Sequence, residues 1–323
     1  MGAYKLTTRG VIGTFFLTLA QALGATWVPK ISMLMTSNQA EEVYAWLGMV
    51  PALREWIGGR QPKGFREFDY AIKNKKWEST IEVKVTEELK RDKSGQVLLR
   101  VREQARRAAA HWAKLLSVLI DTGGGTVCYD KHYFFDTDHV EGDSGAQSNL
   151  ISVDISELPV GEHHHGSATA PSPEELMHCI LQGCQTMLGF KDDQGEPMNE
   201  LARSFIAMVP VSFMKAAIAA CGAPVLSEGT TNQIVVASAM PDVNFNITPV
   251  VNPRLTWTDS LSIFRTDAET KALICQEEDP ISMSAVAEGS ELEFNEDLHR
   301  YGVKAVRNAG YGFWQHSCKI TLV

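Results

Sequence analysis

"SGQVLLRVREQARRAAAHWAKLLSVLID", residues 94–121, is where the periodicity of the chain changes. Val97, Val101, Ala105, Ala108, Trp112, Leu115 and Leu119 recur at steps of four and three. That spacing lays one apolar stripe along an α-helix. Arg100, Arg102, Arg106, Arg107 and Lys114 fill the other faces. Ser94 suits an N-cap, and Gly123, Gly124 and Gly125 stop the helix. About 25 residues rising about 1.5 Å each give a spine of ~38 Å, with Val101, Ala108, Trp112, Leu115 and Leu119 expected at its buried face.

The stretch before it, "FREFDYAIKNKKWESTIEVKVTE" (65–87), alternates with period two. Phe68, Tyr70 and Ile72 face one way with Glu67, Asp69 and Lys73 between them; after the polar "KNKK", Trp77, Ile81, Val83 and Val85 continue against Glu78, Glu82 and Lys84. This pattern predicts a long two-stranded hairpin with one apolar face. Two strands alone do not bury a face. The face of Phe68, Tyr70, Ile72, Trp77, Ile81 and Val83 is therefore expected to lie on an adjacent copy, with Lys73, Lys75 and Lys76 beside acidic residues there.

Charge supports association of copies. The net charge is −9, yet residues 54–114 carry 16 Lys/Arg against 9 Asp/Glu, leaving −16 for the remainder. Such asymmetry fits nucleic-acid binding or the meeting of oppositely charged parts of two copies. The interleaving of acids among the bases favours the second. Hydrophobic residues make up 44% and charged residues 21% of the 323, a globular composition. Six cysteines at 128, 179, 184, 221, 275 and 318 form no CxxC pair or even framework, so the chain reads as reduced and intracellular. "GVIGTFFLTLAQALGATW" after Lys5 and Arg9 has a signal-peptide layout, but Phe15, Leu19, Ala22 and Leu23 share one face of an amphipathic helix. The run is too short and interrupted to span a bilayer.

Several short motifs resemble catalytic ones. Asp121-Thr122-Gly123 is the aspartic-protease tripeptide, but here it ends a helix, where the macrodipole disfavours a carboxylate. Gly142-Asp143-Ser144-Gly145 resembles a serine-protease turn but lies in the polar loop "TDHVEGDSGAQSN". A hydrolase using Asp121 or Ser144 is kept as the alternative function. His132, Asp136, Asp138 and His139 are metal-ligand types, set among Tyr129, Tyr133, Phe134 and Phe135 in what reads as a packed aromatic turn. "GEHHHGS" (161–167) is expected to be an exposed loop with only adventitious nickel or zinc affinity at His163, His164 and His165. No catalytic residue, metal site or cofactor is expected.

From residue 172 the chain reads α/β. "SPEELMHCILQGCQTMLGF" is an N-capped helix, "SFIAMVPVSF" a buried strand and "MKAAIAACGA" a helix. "NQIVVASAM", "FNITPVVNPRLT" and "SLSIFRTD" read as strands, and the tail as a strand pair turning at Asn308 to Gly310. No Gly-rich phosphate loop follows a strand.

Three blocks resemble one family. "YAWLGMVPALREWIGGR" (44–60), "CYDKHYFFDTDH" (128–139) and "YGVKAVRNAGYGFWQ" (301–315) are similar, in order, to segments of the Mu-like phage major capsid (major head subunit) proteins. The resemblance implies an α+β fold of the tailed-phage, Hong Kong 97 type. It implies an N-terminal arm at 1–53, an extended hairpin (E-loop) at 54–93, a peripheral domain at 94–135 and 281–323 built on the spine helix 94–121, and an axial domain at 136–280. The implied function is a structural shell subunit forming the hexamers and pentamers of an icosahedral head around double-stranded DNA. It would be assembled in the bacterial host cytoplasm and found in the virion, with no membrane. Implied partners are further copies of the chain, a scaffold and protease, a portal, decoration proteins, and packaged DNA held without sequence preference on the inner face. Because the hairpin begins by residue 65, the scaffold is expected to be a separate protein. The N-terminal 25 residues and "GEHHHGS" lie outside the resemblance.

Overall fold

The structure, a computed structural model, describes residues 7–23, 27–44, 47, 70–89, 95–142, 144–160, 165–226, 229–240 and 244–323. Two sheets organise them. The first has four strands, β1 (Ser32–Thr36), β11 (Leu273–Val286), β12 (Leu298–Tyr311) and β4 (Lys75–Lys84), in that order; the short elements α2 (Val28–Ile31), β5 (His139–Val140) and β6 (Ala146–Gln147) belong to neither sheet. Its centre is the antiparallel pair of 14-residue strands β11 and β12, flanked by β1, parallel to β11, and β4, antiparallel to β12. Helices α1 (Thr8–Leu23) and α3 (Gln96–Ala109) pack on one another and on this sheet. Val11 and Phe15 of α1 meet Val97 and Val101 of α3, Val83 of β4 and Tyr301 of β12 in a small core. The expected amphipathic N-terminal helix is thus present, with Val11, Phe15 and Leu19 as its buried face. Its start is fixed at the far tip of the β11–β12 pair, where Glu288 accepts hydrogen bonds from the Thr8 amide (3.1 Å) and hydroxyl.

The two strands expected to form a hairpin do not pair with each other. Strand β3 (Ala71–Lys73) pairs with β2 (Glu41–Val43), and after the single residue Asn74 the chain continues as β4. β4 lies against β12, with Lys75 opposite Arg307 and Lys84 opposite Leu298. Alternation fixes which face of a strand is apolar but not which strand lies beside it. Here β12 offers a ten-residue ladder that a two-stranded ribbon cannot match in buried area. The apolar side chains are consequently covered by their own chain. Ile72 and Val83 are buried, and Tyr70, Trp77 and Ile81 half-buried. Trp77 Nε1 donates to the Arg307 carbonyl at 2.9 Å, and Tyr70 Oη accepts from the Tyr311 amide at 2.7 Å. Lys73, Lys75, Lys76 and Lys84 are exposed. Phe68 and half of the expected E-loop lie outside the described residues, as do Ser94 and most of the block at 44–60.

The spine is two helices. α3 ends at Ala109, and α4 (His111–Asp121) begins after Ala110, whose φ of −76° and ψ of 0° depart from the regular helix in ψ while its amide still donates to the Arg106 carbonyl at 3.0 Å. The buried stripe moves by one residue at this joint. Val97, Val101 and Ala105 are buried as expected, but then Ala109 rather than Ala108, and Leu116 and Ile120 rather than Leu115 and Leu119. Ala108, Trp112, Leu115 and Leu119 are half-buried. The two helices also serve different cores: α3 belongs to the small one, whereas Leu116 and Ile120 enter the large one beneath the second sheet. Leu116→Ala is therefore expected to cost about 2–3 kcal/mol and Trp112→Ala only about 1–2 kcal/mol, the reverse of their sizes, because truncation cost follows burial. Urea unfolding of the two variants checks this order.

The second sheet runs β7-β13-β10-β8-β9, with β7 (Leu150–Val153), β8 (Ser204–Val209), β9 (Asn246–Val251), β10 (Ser260–Arg265) and β13 (Ser317–Leu322). Helix α5 (Pro173–Leu188) is N-capped as expected, and the cap is a full capping box: Ser172 Oγ accepts from the Glu175 amide, and Glu175 accepts from that of Ser172. It lies close on the sheet; a Cβ on Gly183 would sit 2.6 Å from Ile320 Cδ1. Helix α6 (Met214–Gly222) follows β8 as expected. Residues 233–239 are a helix, α7 (Gln233–Ala239), not a strand. Its β-branched run suits either state, and Asn232 decides it by accepting from the amides of Ile234 and Val235. The tail also departs from expectation. β12 runs straight through Asn308 to Tyr311, and the chain breaks at 312–316 and crosses to the other sheet, where β13 lies between β10 and β7. Hence the boundary expected at 280/281 falls inside β11, and residues 317–322 belong to the sheet of the middle segment. Among the described residues no helix is long and apolar enough to cross a membrane.

Candidate assembly interface

The residues of the catalytic motifs hold loops together. Asp121, the last residue of α4, accepts hydrogen bonds from the amide and hydroxyl of Thr256 at 2.8–3.0 Å. Ser144 Oγ accepts from Gln147 Nε2 at 3.0 Å and from the Glu141 amide at 3.3 Å. Neither touches a histidine or a second carboxylate in these contacts.

The metal-ligand types at 128–139 divide into two groups. Asp130 bridges Cys128 Sγ (2.9 Å) and His139 Nδ1 (2.6 Å), and the His139 ring stacks on Trp314 at 4.1 Å. Burial raises the Asp130 carboxyl, but the hydrogen bonds from His139, Cys128 and the His132 amide outweigh it and leave it below its ordinary value. Burial pushes the Cys128 thiol far up, so it is no nucleophile. His132 stands apart, its Nδ1 4.0 Å from both Asp136 and Asp138. The segment is the packed aromatic turn read from the sequence: Phe134 stacks on Tyr311 at 4.4 Å. His165 is exposed, with Nδ1 3.1 Å from Glu175 Oε1; His163 and His164 lie outside the described residues.

One residue that sequence reading passed over ties the molecule together. Arg307 of β12 is 3% exposed, although it stands in a strand that reads as an ordinary surface pattern. Its guanidinium lies 3.6 Å from Glu277 of β11 and 4.6 Å over the Trp112 ring; Nε donates to His111 Nδ1 at 3.1 Å, and Nη2 to the Ala108 carbonyl at 3.4 Å. It thus braces the joint between α3 and α4 against the long sheet. Gln276 does the same for residues 70–74, accepting from Tyr44 Oη and donating to the Ile72 carbonyl and Asn74 Oδ1.

The fold leaves two side-chain clusters outside at opposite ends of the first sheet. At one end of edge strand β4, Lys73, Lys75 and Lys76 are exposed. Ten residues of strand, ~33 Å, separate them from the other end. There β11 and β12 are joined through helix α8 (Glu291–Glu296), where Glu291, Glu296 and Asp297 are exposed and Phe294 is 90% exposed. The first end also carries exposed Glu41, opposite Lys73, and Glu278 and Asp279 of β11, and the second exposed Lys84 and Arg300, so the contrast is a lysine cluster at the start of β4 against a carboxylate cluster with an apolar side chain at α8.

Residues 8–158 and 250–321 match the Mu-like prophage major head subunit gpT family. The chain is similar to the Mu-like prophage FluMu major head subunit of Haemophilus influenzae, 36% identical over 124 residues, covering 38% of this chain and 40% of that protein. It is similar to the major capsid protein of Escherichia phage Mu, 33% identical over 138 residues, covering 40% of this chain and 45% of that protein. The alignments span less than half the length of these two relatives. Among solved structures, the procapsid of bacteriophage JBD30 superposes with a TM-score of 0.51 at 23% identity, covering 96% of this chain and 73% of that one. The capsid of cyanophage P-SCSP1u gives 0.54 at 10% identity, covering 93% and 88%. At such identities the likeness is one of fold, the α+β, Hong Kong 97-like fold of phage capsid proteins. With its family segments on both sides of the second sheet's α/β insertion, the chain belongs to the Mu-like prophage major head subunit family.

Proposed function

We propose that this chain is the shell-forming subunit of a phage head, closing in rings of five and six copies into an icosahedral container for double-stranded DNA. Family membership carries the reading. The first sheet with α1 and α3 would be the peripheral domain, and the second sheet with α5, α6 and α7 the axial domain at ring centres. Further copies are the main partner; a scaffold and protease, a portal, decoration proteins and DNA on the inner face are the others. Assembly in the host cytoplasm would place the product in the virion.

The exposed lysine cluster and the carboxylate cluster with Phe294 support a specific contact. Lys73, Lys75 and Lys76 of one copy would meet the acidic end of the next, with Phe294 seated beside them. Such a contact is head-to-tail, and head-to-tail contacts close into rings. Apolar burial would supply most of the affinity and the charges the encounter and register. Ile72 and Val83 drop out of the interface, because they are buried in their own subunit.

Electron microscopy and gel filtration of the purified chain should show closed particles and very large species. The hydrolase alternative would instead turn over peptide substrates and lose that activity in Asp121→Asn or Ser144→Ala. Reversing Lys73, Lys75 and Lys76 to Glu should slow assembly, most at low salt, because exposed charges are screened over about 8–10 Å. The melting temperature of the subunit should stay the same. Normal assembly of this variant at low salt would remove the basic end from the interface.

A further inference from the structure

Beside the joint between α3 and α4 lies a cleft of about 560 Å³. Arg106, Arg107, Lys114 and Arg254 line it against one carboxylate, Glu103, which lies 3.8 Å from Arg106 and 3.5 Å from Arg107. The cleft is built rather than fortuitous. Arg254 comes from a loop held to α4 on both sides, by Asn252 Nδ2 donating to Ser117 Oγ at 2.9 Å and by Thr256 donating to Asp121. The fifth basic side chain, His111, opens α4 and lines both this cleft and an adjoining hollow of about 130 Å³ that shares Arg107.

The protonation of His111 follows from geometry. Arg307 Nε–H donates to its Nδ1 at 3.1 Å, so Nδ1 offers a lone pair and the proton of the neutral ring sits on Nε2. Nε2 is buried and has no acceptor among the described residues. A buried donor left without an acceptor is costly. The imidazole does not escape by becoming charged: burial, then Arg307, Lys114 and Arg254, hold its pKa down to about 4. The site therefore sets four cations against one carboxylate, beside a His111 ring that stays neutral.

We propose that this cleft is a phosphate-oxyanion site, taking the phosphodiester groups of a nucleic-acid backbone. Guanidinium groups match phosphate oxygens in fork geometry, and three of the four cations at the cleft are arginines. The chain as a whole carries −9 and repels nucleic acid, so a local basic cleft is where a backbone would touch it. The proposal rests on the reading of the chain as a shell subunit with DNA on its inner face and names where on the subunit that contact is made; closed particles from a chain that fails to bind duplex would overturn the site and leave the shell reading standing.

The test measures binding of a labelled random-sequence DNA duplex to the full-length chain by fluorescence anisotropy across a salt series. Arg106→Gln/Arg107→Gln should weaken binding at least ~10-fold and flatten the slope against log salt by about two. Lys191→Gln/Lys215→Gln, of equal charge change at exposed sites on other elements, should change it less than about twofold. Inorganic phosphate at matched ionic strength should displace the duplex and shift the His111 ring N–H resonance; phosphate binding without duplex binding would identify the free ion as the ligand of the same site. Equal weakening by both double variants would overturn the proposal, as would tighter binding of a polyglutamate peptide than of either phosphate probe, which would make the cleft a dock for an acidic segment of protein.

Discussion

Arg307→Met is expected to destabilise the subunit by about 3–5 kcal/mol, the range for breaking a buried ion pair on one side. The guanidinium is 3% exposed and has four partners on three elements: Glu277 on β11, His111 and Trp112 on α4, and the Ala108 carbonyl at the end of α3. Methionine fills much of the volume, so the loss is electrostatic rather than a cavity. It leaves Glu277 facing an apolar wall, His111 Nδ1 without its donor, and the α3–α4 joint without a brace. Replacing both charges, as Arg307→Met/Glu277→Met, should recover most of the loss, because a pair of apolar groups avoids the stranded carboxylate. Urea unfolding of the three proteins measures both effects. If the single variant costs less than ~1 kcal/mol, Arg307 is not the brace.

How much of this was legible depends on the kind of signal each element carries. Helix α5 was readable to its cap, because Ser172, Pro173 and Glu175 specify a local geometry. The stripe Val97, Val101 and Ala105 was readable for the same reason. The joint at Ala110 was not. Alanine is the best helix former, so residue 110 carries no signal of a joint, and Arg307, which reaches the Ala108 carbonyl and His111 there, lies nearly 200 residues away. Strand pairing failed likewise at β3 and β4 and again in the tail: alternation marks faces, but partners are chosen by three-dimensional competition among strands. Residues 233–239 failed locally, because a run such as Ile234, Val235 and Val236 weighs less than the cap at Asn232. At the candidate interface, the lysines were found by charge alone. Phe294, at 90% exposure, had no sequence signal, since one aromatic residue in an acidic turn looks like any other. The family blocks conveyed the fold where local physics was silent.

Acidification from pH 7 to about 4.5 is expected to remove roughly 3–5 kcal/mol of stability, through two histidines kept neutral in the fold. His316 is 2% exposed, between Thr270 Oγ1 at its Nε2 (2.9 Å) and Asn199 Oδ1 at its Nδ1 (3.2 Å). Burial first, then Arg265 and Lys271 against a weaker opposing Asp267, lowers its pKa to about 3. His111 is lowered to about 4, by burial first and then by facing Arg307, Lys114 and Arg254. Both are ordinary in the unfolded chain, near 6.5. Between pH 6.5 and 4 the unfolded state therefore binds up to two more protons than the native state, and stability falls with falling pH by about 1.4 kcal/mol per unit for each group. Asp130 acts in the same direction but in a lower window. Its folded carboxyl lies below its ordinary value, so its contribution is complete above the carboxylate range and is lost only as pH drops through the folded value. It does not contribute to the slope between pH 6.5 and 5. That separation makes the test specific: His316→Gln should reduce the slope of unfolding free energy between pH 6.5 and 5 by about 1.4 kcal/mol per unit, whatever it does to stability at pH 7. Cys128→Ser, next to Asp130, should leave that slope as it is. A His316→Gln slope equal to wild type would mean that the imidazole is already charged in the fold, with Thr270 and Asn199 both accepting from it.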